Sequence, residues 1–160
     1  MITYSKSRKV WQKITDKLSG FPAPDLNLFA RLYIAQIFFL SGRTKASSPE
    51  GEGLWQCFVA FVTPSETTLF LFEEEYALPF MSFEIAAHLA LYAETFLPIL
   101  LIIGFAARLS ALALLGMTAV IQLFVYPNLW HEHLIWAAVL VFLILKGAGK
   151  ISLEYVGTRR

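Results

Sequence analysis

The sequence predicts an all-α polytopic membrane protein: four transmembrane helices in a bundle, with a long outer loop carrying a short amphipathic helix. Three observations lead there. Of its residues 57% are hydrophobic and only 16% charged, with a mean hydropathy of +0.59, far more apolar than a soluble domain of 160 residues. Four runs approach the ~20 apolar residues that an α-helix needs to cross a bilayer. Lysine and arginine gather on one side of those runs.

The first predicted span runs from Asp25 to Lys45, the second from Ser82 to Gly104, the third from Ala106 to Tyr126 and the fourth from His133 to Leu145. Lys6, Arg8, Lys9, Lys13 and Lys17 precede the first, Arg108 joins the second to the third, and Lys146, Lys150, Arg159 and Arg160 follow the fourth. The other side has only Arg43 and Lys45, so both termini are expected in the cytoplasm, with the chain in a bacterial inner membrane. Met1–Pro22 is polar and basic with no apolar core, which leaves targeting to the first apolar helix. The single cysteine, Cys57, excludes an internal disulfide or a CxxC pair. One membrane domain, 25–154, is expected between a basic cytoplasmic segment, 1–24, and a cytoplasmic tail, 155–160.

On the outer side, the connection from Ala46 to Met81 holds Leu54–Val62, apolar but too short to cross, and therefore expected to lie along the membrane surface. An acidic run, Glu73, Glu74 and Glu75, follows; it reads either as solvated surface or as an attractor of cations or a basic partner. Arg43 and Lys45 are expected to pair with loop carboxylates such as Glu50 or Glu73, or with lipid head groups. Phosphate-binding glycine loops, dinucleotide fingerprints and nucleophile elbows are absent, and so is any basic aromatic stripe for nucleic acid. The expected surroundings are lipid and protein partners, with homo-oligomerisation left open.

Glu94 stands inside the apolar run Phe83–Gly104. A carboxylate near the bilayer centre costs roughly 2.5–3.5 kcal/mol on insertion scales and normally has a partner. Arg31 is the expected one, because a guanidinium matches a carboxylate with two parallel hydrogen bonds. Pro98 cannot donate to the Glu94 carbonyl and should open a polar pocket there. Two roles follow for Glu94: a structural ion pair, or a carboxylate that exchanges protons as a quinone is reduced or oxidised. Tyr92, His88, Gln122 and Trp136 are suitable in type to line a quinone pocket. At 100° per residue, Glu94 points about 80–120° away from His88, so those two need not share a site.

Trp130-His131-Glu132-His133 opens the fourth span. With His88 as a third imidazole, His131 and His133 would suit copper, zinc or haem, although their spacing is not the i, i+4 of a helical zinc motif. The alternative is interface anchoring, the ordinary role of Trp and His at a helix end.

Arg31 with Gly42 and Lys45, Glu94 with Pro98, Gly104 and Arg108, and the ending Gly147, Gly149, Lys150, Ser152, Leu153 together resemble the DoxX family of small bacterial four-helix membrane proteins. The resemblance runs from Leu26 to Glu154, where Glu154 replaces the usual aspartate. It implies a membrane accessory subunit of a redox system, such as a quinone-linked oxidoreductase. The stretches FEEEYALPF and GMTAVIQLFVYPNLWHEH are most similar to members that accompany copper-responsive systems making modified peptides. The alternative function is therefore non-enzymatic copper handling or metal-peptide docking through His88, His131 and His133. A plain membrane anchor for a soluble partner is the third.

Overall fold

The computed structural model describes residues 11–12, 23–49, 51 and 53–158, and these are all-helical apart from one isolated bridge, Ala46 to Pro64. The basic cluster Lys6–Lys17, Glu50, and the terminal Arg159 and Arg160 lie outside the described residues.

Helix α1, Ala23–Lys45, buries Asn27, Ala30, Arg31, Ile34, Ala35, Phe38 and Gly42, the stripe that a 3.6-residue period puts on one face. The chain then leaves the bundle and returns. Ser47 N–H donates to the Thr63 carbonyl at 2.8 Å and Ser65 N–H to the Lys45 carbonyl at 3.0 Å, closing a loop around α2, Leu54–Val62. Ser65 caps α3, Glu66–Leu71, its hydroxyl accepting from Thr68 N–H at 3.2 Å. That helix widens into a π-helical turn, Phe72–Tyr76, containing the acidic run, and stops at Ala77 in the left-handed region, φ 35°.

Helix α4, Phe83–Ile103, carries Pro98 internally without ending there, and stops at Gly104, φ 68°. Helix α5, Ala107–Val120, continues as a second π-helical turn, Ile121–Val125. Helix α6 runs from Trp130 to Lys146, a turn earlier than predicted at its start. A short helix, α7, Leu153–Thr158, runs across the expected boundary between the membrane domain, 25–154, and the tail, 155–160.

The four long helices form a closed ring of neighbours, α1 on α4, α4 on α5, α5 on α6 and α6 on α1; the α1–α4 and α5–α6 seams are the most extensive and α4–α5 is slimmer. Ile34, Phe38, Leu101, Leu114, Leu140 and Leu143 fill the middle. Phe29, Leu109, Leu112, Leu123 and Leu145 lie open on the outside, while Arg31, Glu94, Gln122 and His133 are inside. Apolar residues outside with charges within is the arrangement expected in lipid, and a liability in water. By length and composition, Phe83–Ile103 and Ala107–Val125 can cross a membrane. Helix α1 is long enough but interrupted by Arg31 and Gln36, and α6 has 17 residues, short of the ~20 usual for a span.

Candidate functional site

A cavity of about 890 Å³ lies between α1, α4, α5 and the first turns of α6, under the π-helical turn Phe72–Tyr76 and the turn-containing link through Leu78 and Met81. Its walls are mostly apolar, including Ile37, Phe38, Leu97 and Met117, so its few polar groups define its chemistry. They form three groups.

The first is an ion pair. Glu94 is 1% exposed, and its Oε2 accepts from Lys45 Nζ at 2.8 Å; Lys45 also donates to Ser41 Oγ at 3.0 Å. Ser41 and Lys45 are one turn apart on α1, so their side chains share a face. Gly42, between them, brings α1 against the Glu94 backbone, including the carbonyl that Pro98 leaves without its helical donor.

The expected Glu94–Arg31 pair is therefore corrected. Arg31 lies fourteen residues before Lys45, about 21 Å along α1 at ~1.5 Å per residue, and is fully buried at the other end of the ring. It donates to the Leu101 carbonyl at 3.2 Å and to the Ile151 carbonyl. Gly104 is beside it, where a Cβ would collide with Arg31 and Ser152, and Glu154 Oε1 accepts from Ala107 N–H at 2.9 Å. Arg31, Gly104, Ser152 and Glu154 thus tie α1, the α4–α5 turn and α7 together, a structural joint remote from the cavity.

The second group is Tyr76 and Tyr126, whose hydroxyls are 3.0 Å apart, each on or just after a π-helical turn. Such turns rotate side chains out of the α register and recur at functional sites. Burial, and then the hydrogen bond to Tyr126, push the Tyr76 phenol above its ordinary pKa, so it stays neutral.

The third group is on α6. His133 is buried; its Nδ1 is 2.6 Å from Gln122 Oε1, and its ring packs 5.0 Å from Trp136. Trp136 meets Phe38 edge-on at 5.6 Å. Glu132, His133 and Trp136 all line the cavity.

Of the residues expected to line a quinone pocket, Tyr92 and Trp136 line this cavity; Gln122 is buried behind His133, and His88 is outside it, bonded to its own helix through the Glu84 carbonyl at 2.8 Å. The expected metal set is not assembled. His131 is exposed, His133 points at Gln122, and no group of three His, Cys, Asp or Glu able to hold a metal occurs among the described residues. Arg43 does not pair with loop carboxylates among the described residues. It donates to the Phe61 carbonyl at 3.1 Å and to Thr95 Oγ1, with its guanidinium 3.5 Å from the Phe61 ring, and so fastens α2 to α1 and α4.

Sequence reasoning missed Lys45 and Ser41 as partners of Glu94, the Tyr76–Tyr126 pair, and His133 as a cavity residue. The i, i+4 spacing of Ser41 and Lys45 was a usable signal; the meeting of Tyr76 with Tyr126, fifty positions apart, left none.

A family model, DoxX, matches residues 26–127, which span α1 to the end of the second π-helical turn. No curated protein and no solved structure is significantly similar to the chain. The match covers well over half of the sequence and includes Glu94, Lys45 and most of the cavity wall. The chain belongs to the DoxX family.

Proposed function

We propose that this protein is an integral accessory subunit of a membrane redox system, with α1, α4, α5 and α6 all crossing the inner membrane, both termini in the cytoplasm, and a cavity that takes the ring of a lipid-soluble quinone. The observation that carries this reading is a mostly apolar cavity of about 890 Å³ bounded by one buried ion pair, Lys45–Glu94. A quinone needs an apolar slot for its ring and chain, with donors and acceptors at the ring oxygens. Lys45 Nζ can donate to a ring oxygen, and Glu94 can take one of the two protons that a quinol releases on oxidation, or supply one as a quinone is reduced, while a partner protein removes or supplies the two electrons.

The test is binding. The protein in lipid nanodiscs should bind a short-chain benzoquinone, measured by quenching of tryptophan fluorescence, because Trp136 lines the cavity. Ala93→Phe, which fills the cavity from α4, should weaken binding at least tenfold. No binding by the folded protein would reject the quinone reading. Glu94→Gln leaving assembly and electron transfer of the parent system unchanged would reject the proton role.

A further inference from the structure

We propose that His133 Nε2 is a dedicated hydrogen-bond acceptor in the cavity, so that the site selects an aromatic head group bearing a hydroxyl, a quinol, over the same ring carrying a carbonyl. The inference rests on the quinone reading above and narrows it to one redox form.

The argument begins at Pro127. Its carbonyl can only accept, and Gln122 Nε2 lies 2.8 Å from it. That contact orients the Gln122 amide, leaving Oε1 directed at His133 Nδ1, 2.6 Å away. An amide oxygen has no proton, so Nδ1 must carry the one shared between them. A neutral imidazole protonated at Nδ1 has a bare lone pair at Nε2.

That lone pair has no protein partner among the described residues. Buried side-chain nitrogens and oxygens without a hydrogen bond are, among the described residues, Arg31 Nε, Arg43 Nε and Ser110 Oγ. Among the described residues His133 Nε2 makes no hydrogen bond either, yet it is not in that group, so it keeps some access in a residue that is only 4% exposed and lines the cavity. Trp136, 5.0 Å from the imidazole, adds an aromatic wall beside it.

The π-helical turn Ile121–Val125 is what makes the arrangement. It carries Gln122 inward against α6 and leads directly into Pro127, so the residue that orients the imidazole and the carbonyl that orients that residue lie on one short segment. Gln122 is a positioning residue; His133 is the one that meets the ligand. A hydroxyl donates to the Nε2 lone pair, whereas a ring carbonyl faces it lone pair to lone pair, leaving both unsatisfied.

The experiment is anaerobic titration of the nanodisc protein with a short-chain benzoquinol and, separately, its benzoquinone. The quinol should bind about tenfold more tightly. His133→Phe should abolish that preference while both forms still bind, and Gln122→Met, which leaves the imidazole in place, should reduce it. In ¹⁵N-labelled protein, the His133 ring should show the Nδ1–H tautomer, and the quinol but not the quinone should shift the Nε2 resonance. Equal binding of the two forms by the unaltered protein, a preference that survives His133→Phe, or an Nε2–H tautomer would each overturn the inference while leaving the cavity reading standing. Failure of both forms to bind would overturn the cavity reading, and the inference with it.

Discussion

Gly42 lies directly against Glu94: a Cβ at position 42 would stand 3.0 Å from Glu94 Cβ and 3.1 Å from its carbonyl oxygen. The close seam between α1 and α4 depends on that missing methyl, as membrane helices commonly use small residues to approach. Gly42→Val should push the helices apart, costing about 1–3 kcal/mol by overpacking, and should lower the thermal midpoint in detergent. An unchanged midpoint would mean that the seam relaxes freely.

The ion pair should show the asymmetry of buried charges. Lys45→Met strands the Glu94 carboxylate and should cost about 3–5 kcal/mol, whereas adding Glu94→Met should recover most of that loss. A double-mutant cycle read from thermal midpoints checks this. Additive losses would show that the two residues do not act as a pair.

Arg43 holds α2 by a hydrogen bond to the Phe61 carbonyl and by its guanidinium over the Phe61 ring. Arg43→Gln should therefore leave the bundle folded and raise amide hydrogen exchange across Leu54–Val62 about tenfold. Equal exchange would assign the docking of α2 to its apolar contacts instead.

Tyr76 predicts an alkaline effect. Its folded pKa is raised from 10.0, chiefly by burial, so above pH 10 the unfolded chain loses this proton first. The folded state then holds more protons than the unfolded one, and stability should fall as pH rises beyond 10, with no pH dependence from this group around neutral pH. Tyr76→Phe should flatten that decline in thermal melts taken between pH 9 and 11.

Much of the architecture was legible along the chain. Apolar runs and their breaks give all four long helices to within a few residues, and Leu54–Val62 is helical over the predicted range. The candidate site was legible only in its centre. Glu94 declared itself because a carboxylate in an apolar run is costly, but its partner did not, since Arg31 and Lys45 are equally charged and only their distance along α1 separates them. His133 read as a metal candidate because its neighbour His131 is close in sequence; the fold exposes one and buries the other.

By itself, the sequence determined helix positions, the all-helical membrane class and Glu94 as a buried charge that needs a partner, because these depend on local composition and on the cost of burying charge. The tertiary structure alone decided that Lys45 neutralises Glu94, that Arg31 serves a remote joint, and that His133, Tyr76 and Tyr126 face one cavity. Those outcomes depend on the rotation and register of each helix against its neighbours. They are set by side-chain packing and by the two π-helical turns, which shift the helical period without a composition that announces them.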